Sequence, residues 1–369
     1  MRARVLALLL APAIVLGLLA GCNADGTLKL PTGVVYPSIE PAAGTADLTV
    51  NQTFRFEGAS RTVSVLVDGE VYAGAKHAEK SVIRFGKARE NDWIEEYYPA
   101  FVFEKHQEAF FSALIGQFRA IRDADGLDSD RYVELMTAYV QSLAYKTDAV
   151  NLSPKFPVET AAERAGDCDD KALLLGAMLA REGYDVAILL FGPEQHVALG
   201  IRADGPGYSG TGYAYIETTT QGFVGMPPES LGNGERLAST PQVFRLGDGS
   251  AAYGAAAQVT EILAAADAAA RAAADLAPRV KAADAGLASL EIKTRNLSAR
   301  LDALAAASDA AGYNELVPAY NAAASDYNEA VAQRNALAKQ YDEAGRLHNH
   351  IVEHLDDRVG VIQFIRANR

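Results

Sequence analysis

The fold of this chain is decided within residues 166–217, which contain Gly166-Asp-Cys168-Asp-Asp-Lys-Ala-Leu-Leu-Leu-Gly-Ala-Met-Leu-Ala-Arg-Glu-Gly183, Gln195-His196-Val-Ala-Leu-Gly-Ile201 and Tyr213-Ala-Tyr-Ile-Glu217. Apolar residues recur at helical spacing in the first stretch, and Gly183 is a typical residue at a helix C-terminus. The other two stretches are extended runs joined by a glycine-rich loop. The sequence therefore predicts a helix with Cys168 in its first turn, followed by a β-hairpin.

The chain has two cysteines, Cys22 and Cys168. At the first turn of a helix, unpaired N–H groups and the helix dipole stabilise a thiolate. The neighbouring carboxylates of Asp167, Asp169 and Asp170 act in the opposite direction. The acidity of the Cys168 thiol therefore stays open from sequence alone.

The hairpin supplies a partner for this thiol. If it is symmetric and pairs Ile201 with Gly212, it also sets His196 directly opposite Glu217. Directly opposed residues have Cβ atoms about 5 Å apart, which is close enough for a carboxylate to orient an imidazole. Small residues follow His196 on the same face, and we expect them to leave room for the helix end that bears Cys168.

These features resemble the transglutaminase-like superfamily of papain-type thiol enzymes, over about residues 131–229. The resemblance implies an α+β fold with a papain-like core, in which the cysteine-bearing helix packs on an antiparallel sheet. It also implies that Cys168 is the nucleophile, His196 the general base and then acid, and Glu217 the group that fixes the histidine tautomer. Family members form an acyl-enzyme from an amide and pass the acyl group to water or an amine, so the implied substrate is a protein or peptide and no cofactor is implied.

The chain departs from the family pattern in two places. Many members have aspartate where Glu217 stands, and eukaryotic crosslinkers carry tryptophan where this chain has Asp169-Asp170-Lys171, so the calcium-dependent enzymes are a poor match. Gln141 is an oxyanion candidate together with the Cys168 N–H, or equally an ordinary solvent-facing glutamine. A structural interpretation also stays open, in which Cys168 is a small buried side chain and His196 pairs with Glu217 across the strands.

The N-terminus has the pattern of an export signal. Residues 5–20 carry no charge, follow two arginines and lead into Leu19-Ala-Gly-Cys22. This stretch is shorter than the roughly 20 apolar residues of a spanning helix and favours a signal peptide over residues 1–21. Its ending resembles the lipobox of prokaryotic lipoproteins, which implies lipidation of Cys22. An uncleaved anchor is the alternative, and both place the body of the protein outside the cytoplasmic membrane, anchored to its outer face in the cell envelope or periplasm.

The rest of the chain divides by composition. Residues 22–52 are rich in proline, glycine, threonine and alanine and predict a flexible tether. Residues 53–125 combine alternating and helical patterns and predict an N-terminal β/α region. Residues 126–250 form the predicted transglutaminase-like domain.

The C-terminal third is rich in alanine and has two heptad-patterned halves separated by a turn. This pattern predicts an antiparallel coiled-coil hairpin over residues 251–347, followed by a tail over residues 348–369. The predicted seam consists of Val280, Leu287, Thr294, Leu301, Ala283, Leu290, Leu297 and Leu304 in the first half, and of Tyr313, Tyr320, Tyr327, Tyr341, Val317, Ala324, Val331 and Ala338 in the second.

Charge and histidine spacing narrow the function further. The chain has 34 basic and 47 acidic residues, and its net charge of −13 argues against nucleic-acid binding. His350 and His354 are spaced i, i+4, but two ligands do not make a metal site, so no metal is predicted. The sequence thus predicts an exported, lipid-anchored thiol hydrolase or acyltransferase acting through a Cys168 acyl-enzyme. The alternative is an inactive scaffold lipoprotein whose helical hairpin docks an envelope partner.

Overall fold

A computed structural model describes residues 33–85, 93–147, 153–232 and 234–368, together with the backbone of residues 21–22 and 28–29. The predicted signal peptide, apart from the backbone of its last residue, and the side chain of Cys22 lie outside the described residues. The chain forms two compact units, one of Met1–Thr260 with Leu355–Gly360 and the other of Glu261–His354 with Val361–Arg369.

The fold is mixed α+β, with small sheets and two long C-terminal helices. No helix in the described part of the chain is long and apolar enough to cross a membrane. The elements in chain order are β1 (Gly21–Cys22), β2 (Leu28–Lys29), β3 (Gly33–Val35), β4 (Leu48–Phe56), β5 (Ala59–Val67), α1 (Gly69–His77), β6 (Ile83–Phe85), α2 (Ile94–Val102), α3 (Glu108–Asp125), α4 (Ser129–Gln141), β7 (Ala144–Tyr145), α5 (Pro157–Glu163), β8 (Ala165–Gly166), α6 (Cys168–Arg181), β9 (Val186–Phe191), β10 (His196–Arg202), β11 (Tyr213–Ile216), β12 (Gln242–Leu246), α7 (Ala256–Ala306), α8 (Ala310–Glu353) and α9 (Arg358–Ala367).

The first unit is built around a four-stranded antiparallel sheet in the order β11-β10-β9-β12. Its central strand β9 is an almost wholly buried apolar run, as expected for a strand covered on both faces. Helix α6 packs closely on this sheet at Gly176, where an added Cβ would lie 2.6 Å from Leu246 Cδ1 and 3.1 Å from Leu199 Cδ1. The predicted packing of the cysteine-bearing helix on an antiparallel sheet is therefore confirmed, whereas the papain-like identity of the core stays a prediction.

A second layer of the first unit is the β4–β5 hairpin, which packs against α3 and α4. Its alternating residues place Phe54 inward, where the ring lies 6.3 Å from Phe118 and 5.8 Å from Tyr139 between centroids. The β/α region predicted from residue 53 onward therefore shares a core with the helix that precedes the site.

The flexible tether predicted over residues 22–52 is wrong for residues 33–52. Strand β3 pairs with β6, and β4 already begins at Leu48. Between them Ile39 is only 1% exposed, and Gly44 N donates to Glu70 Oε1 over 2.8 Å. Apolar side chains within a Pro/Gly-rich stretch thus anchor it to the first unit.

The second unit is a pair of long helices, α7 and α8, joined by a short turn. Arg334 Nε lies 2.7 Å from Asp284 Oδ1, and Lys293 Nζ lies 3.8 Å from Asp326 Oδ2. These two ion pairs run in opposite chain directions on the two helices. The helices are therefore antiparallel, as the heptad pattern predicts.

Burial in the second unit follows the predicted seam. Leu301 is 7% exposed, and the other seam positions are half-buried except Tyr313 and Tyr341, which are exposed. The separate tail predicted over residues 348–369 is wrong, because α8 continues to Glu353 and α9 follows. Asp356, between the two helices, and Arg358, the first residue of α9, belong to the first unit, where Asp356 accepts a hydrogen bond from the turn of the β4–β5 hairpin.

Candidate active site

Helix α6 begins at Cys168, the predicted nucleophile. Asp167 is extended immediately before the helix, and its N–H donates to Asp170 Oδ2 over 3.3 Å, as an acid at the third helical position does in a capping box. The N–H groups of Val197 and Asp169 donate to the Cys168 sulfur. The thiol is free and partly accessible.

The environment of Cys168 favours the neutral thiol. Burial raises the pKa of the thiol well above its ordinary value, and the charges of Asp169 and Asp167 raise it further. The two backbone hydrogen bonds to the sulfur act in the opposite direction but do not prevail. Burial and the acidic neighbours thus both oppose the thiolate that a helix N-terminus would favour.

Three carboxylates cluster around this helix start. Oxygens of Asp167, Asp169 and Asp170 lie within 4.8 Å of one another, the only such acidic or histidine cluster within the described residues. Asp169 Oδ1 accepts from Asp170 N over 2.8 Å, and Asp170 Oδ1 accepts from Lys155 N over 2.6 Å. These oxygens complete the helix start, and three carboxylates fall short of the six to eight oxygens that Ca²⁺ takes. We therefore assign no metal to them.

A hydrogen-bond chain joins His196 to Glu217 through Tyr215. His196 Nε2 lies 2.9 Å from the Tyr215 hydroxyl, and that hydroxyl donates to Glu217 Oε2 over 3.0 Å. Because the phenolic proton goes to the carboxylate, the phenolic oxygen accepts from the imidazole. This hydrogen-bond pattern therefore places the imidazole proton of His196 on Nε2 and leaves Nδ1 as the basic nitrogen.

The two ends of this chain are buried. Glu217 Oε1 accepts from the Thr219 N–H over 2.7 Å and from the Thr219 hydroxyl, and Glu217 Oε2 lies 4.0 Å from His196 Nε2. Burial lowers the pKa of His196, while the charges of Glu217 and Glu194 act in the opposite direction. The imidazole is therefore neutral at neutral pH, the form that can accept a proton.

The predicted direct pairing of His196 with Glu217 is wrong. The ladder pairs Arg202 with Tyr213, so the hairpin closes one residue later on each strand than predicted. The Arg202 guanidinium lies over the Tyr213 ring at 4.2 Å and donates to its hydroxyl over 3.1 Å, which stabilises this register. The relative shift of two positions keeps His196 and Glu217 on one face, and the Tyr215 hydroxyl bridges their side chains.

The space beside His196, which we expected the Cys168 helix to fill, is filled by another side chain. Ala198 belongs to a buried cluster with Tyr215, so the tyrosine ring occupies the position expected for the Cys168 helix. Helix α6 lies on the opposite face, against Leu199.

The sulfur of Cys168 lies beside the backbone at the start of β10, the strand that begins at His196. The sulfur accepts from the N–H of Val197, one residue beyond His196, yet no hydrogen bond joins the sulfur to the imidazole in the described structure. His196 Nδ1 also makes no hydrogen bond with any described residue. Catalytic hydrogen bonds in unliganded sites are often long, so the free Nδ1 is the nitrogen available to the thiol.

Gln141 has a different place from the one predicted. Its Nε2 donates to Glu217 O over 2.8 Å and to Gly222 O over 3.0 Å, and Gly222 N donates to its Oε1 over 3.3 Å. Both amide protons are therefore used, and none is left for an oxyanion. Gln141 instead ties the segment after β11 to the end of α4, neither an oxyanion donor nor a solvent-facing residue.

Lys171 is a residue that the motif did not single out. It is 0% exposed, and its Nζ donates to Leu143 O over 2.9 Å and to Gln141 O over 3.3 Å at the end of α4. Burial lowers the pKa of Lys171 to about 8, although the charge of Glu217 opposes this shift. The sequence does carry a signal for this buried cation. Lys171 lies three residues after Cys168, within an otherwise apolar stripe of the predicted helix.

No protein-family model matches the chain, and neither does any curated protein or solved structure. The resemblance to transglutaminase-like enzymes therefore rests on the residues described above.

Proposed function

We propose that this protein is a thiol hydrolase or acyltransferase with a transglutaminase-like, papain-type core, acting on protein or peptide amides through Cys168. The observation that carries the proposal is the chain from Glu217 through Tyr215 to His196. This hydrogen-bond chain holds the neutral imidazole of His196 with its Nδ1 free. The next residue, Val197, is the one whose N–H contacts the Cys168 sulfur. Three side chains that act as nucleophile, base and orienting acid define this class of chemistry.

The first half-reaction begins from a neutral pair, since the thiol pKa is raised and the imidazole pKa is lowered. His196 Nδ1 takes the thiol proton while a sulfur electron pair forms a bond to the amide carbon and the carbonyl π pair moves to oxygen. When that pair returns, the C–N bond breaks, and the leaving nitrogen takes the proton from the imidazolium. The products are a free amine, a Cys168 thioester and a neutral imidazole.

The second half-reaction uses the same groups. Water or an amine gives a proton to His196 Nδ1 as it attacks the thioester carbon. The C–S electron pair then returns to sulfur, which takes that proton and restores the thiol. Glu217, 4.0 Å from Nε2, stabilises the imidazolium in both halves.

Acetylation of the purified protein by p-nitrophenyl acetate tests this function. The purified protein is mixed with the ester at neutral pH, and nitrophenolate release is followed beside the intact protein mass. We expect the mass gain of one acetyl group on Cys168 in the wild type, none in Cys168→Ala, and a rate about 100-fold lower in His196→Ala. Acetylation that is equally fast without His196 would overturn the proposed mechanism.

We also propose that the protein is exported and anchored to the outer face of a membrane through lipidated Cys22. The support is the uncharged segment that ends in Leu19-Ala-Gly-Cys22. Mass spectrometry of the N-terminal peptide from membrane extracts tests it, with Cys22→Ser as the control. A processed, lipidated Cys22 is the expected result, and an intact Met1 or an unmodified Cys22 would contradict it.

A scaffold without turnover is the second candidate. The observation that favours it is the strongly raised thiol pKa of Cys168 together with the missing hydrogen bond to His196. Under this alternative the helical hairpin of the second unit docks a cell-envelope partner. Equally slow acetylation of the wild type and the His196→Ala variant would favour the scaffold.

A further inference from the structure

Strand β12 is an edge of the four-stranded sheet, and no strand of the described chain pairs with its outer side. The ladder tells which of its backbone groups point outward. Arg202 N donates to Asp185 O over 2.8 Å, one step beyond the pair of Ile201 with Val186, so the odd-numbered residues of β9 bond to β10. Alternate residues of an inner antiparallel strand bond to opposite neighbours, so the even-numbered residues of β9 bond to β12. Their partners on β12 are Gln242, Phe244 and Leu246.

The two remaining residues of β12 therefore direct their backbone outward. The N–H and C=O groups of Val243 and Arg245 point away from the sheet, and they make no hydrogen bond with any residue of the described ranges. A row of unpaired groups at a sheet edge is a template for another extended chain. Such a chain gains main-chain hydrogen bonds by adding itself as a further strand.

A groove of about 560 Å³ lies beside this edge, between β12 and α2. Ligand pockets typically enclose roughly 300–1,000 Å³, so the groove is large enough for several residues of a bound chain. Its apolar lining includes Phe103 and Val243, whose side chains are 42% and 38% exposed. The groove thus offers apolar contact next to the unpaired backbone groups.

Helix α2 runs alongside β12 in the same direction. The ring centroid of Tyr98, within α2, lies 5.8 Å from that of Phe244. Phe103, just after α2, lies against Gly247, just after β12, where an added Cβ would be 3.0 Å from the Phe103 Cζ. The first turn of α2 therefore lies toward the start of β12.

That first turn gives the groove a negative charge. Glu95 and Glu96 line the groove, are exposed, and form no ion pair or hydrogen bond within the part of the chain that the structure describes. Arg245 does not compensate them, because its guanidinium is paired with Asp185 at 3.2 Å. The whole chain also carries a net charge of −13, which favours the approach of a basic partner.

We infer that β12 is a docking site for an extended peptide segment that carries lysine or arginine side chains. The segment adds to β12 as a fifth strand, bonds to the backbone of Val243 and Arg245, and places basic side chains near Glu95 and Glu96. Strand β9 separates β12 from β10, so the added strand is three strand spacings, about 14 Å, from the strand that bears His196. The docking site is therefore separate from the thiol and goes beyond the proposed function.

Binding of a fluorescein-labelled hexapeptide of alternating valine and lysine tests this inference, measured by fluorescence anisotropy with the purified protein. We expect saturable binding that is on the order of fivefold weaker in the double variant Glu95→Gln, Glu96→Gln. The matched control is Glu229→Gln with Glu315→Gln, which makes the same charge change at two other exposed glutamates and should bind as the wild type does. Equal weakening in the two double variants would mean that only the overall charge attracts the peptide.

Strand addition is tested separately from charge. Val243→Pro removes an outward N–H, which an edge strand tolerates, and should weaken binding about tenfold. Two N-methylated forms of the peptide, each modified on alternate backbone nitrogens, test the same bonds without changing the protein. One form loses the N–H groups that face β12 and should bind about tenfold more weakly than the other.

Two further outcomes would overturn the inference. Unmodified affinity in both N-methylated forms would show that no strand is added. Loss of peptide binding in Cys168→Ala would place the peptide at the thiol site instead of at β12. Unchanged binding in Cys168→Ala is the expected result, and it holds whether or not the proposed acyl transfer is correct.

Discussion

The imidazole Nε2 of His196 lies 2.9 Å from the hydroxyl of Tyr215, and this contact replaces the histidine–carboxylate bond that the motif predicts. The carboxylate of Glu217 is one step further along, at 3.0 Å from the same hydroxyl. Glu217 thus contacts His196 through the Tyr215 hydroxyl rather than directly. The arrangement still orients the ring and still places a negative charge near Nε2.

The first prediction concerns Tyr215→Phe. Removing the hydroxyl leaves the Nε2 proton and one oxygen of buried Glu217 without a partner, so the tautomer of His196 is no longer fixed. We expect alkylation of Cys168 by iodoacetamide at pH 8 to be about tenfold slower or more. The matched control is Tyr184→Phe, whose buried hydroxyl donates to Ser129 O instead. Equal rates in the two variants would show that Tyr215 does not act through His196.

The second prediction concerns the acidity of Cys168. Since the thiol pKa is raised, little thiolate is present at pH 7, and the alkylation rate should rise with pH without a plateau below pH 9. Asp167→Asn removes one of the charges that raise this pKa and keeps a residue type that caps helices well. The pKa of the Cys168 thiol should therefore fall in this variant, and each unit of decrease gives about ten times more thiolate at neutral pH.

A matched control for that experiment is Asp204→Asn, an exposed aspartate in the loop between β10 and β11. It makes the same change in net charge away from the thiol and should leave the pH profile unchanged. If the pH–rate profiles of Asp167→Asn and Asp204→Asn coincide, the account of the thiol's environment is wrong.

The third prediction concerns Gln141. Gln141→Met removes two donated hydrogen bonds and one accepted bond from the buried segment after β11, so we expect a loss of about 2–4 kcal/mol in the free energy of unfolding. Urea unfolding measures this, with the exposed Gln333→Met as the control. An oxyanion role would instead leave stability unchanged and slow only acetylation.

The fourth prediction concerns Lys171. Its pKa of about 8 lies below the ordinary value of about 10.4 in the unfolded chain, so between these values the unfolded state holds a proton that the native state has lost. Stability therefore rises with pH in this window, because the cost of burying the ammonium is present below pH 8 and is relieved above it. Relative to Lys171→Met, the wild type should gain about 2 kcal/mol between pH 8 and pH 10.

Tyrosine titration in that window affects wild type and Lys171→Met alike and cancels in the difference between them. The exposed Lys339→Met, whose side chain is 78% exposed, is the control and should run parallel to the wild type. Parallel curves for Lys171→Met and wild type would mean that the buried amine keeps an ordinary pKa.

Local patterns predicted the elements that carry the site. The start of α6 at Cys168, the strand that begins near His196 and the antiparallel helical hairpin all follow from periodicity and helix-end residues that lie close together in the sequence. The faces of β10 and β11 were also predictable, since a shift of two positions leaves side-chain alternation intact.

Contacts between distant residues were not predictable in the same way. The register of the hairpin depends on Arg202 stacking on Tyr213, and nothing local ranks that contact above the pairing of Ile201 with Gly212. The amide of Gln141 is used by carbonyls about 80 residues away, and the burial of Lys171 depends on the end of α4.

The central claim is that His196 activates the sulfur of Cys168. The most direct measurement is the second-order rate of Cys168 alkylation by iodoacetamide between pH 6 and pH 10, in the wild type and in His196→Ala. We expect the wild type to react at least tenfold faster at pH 7–8, with the two curves converging as the thiol ionises on its own at high pH. Superimposable curves across the whole range would contradict the account.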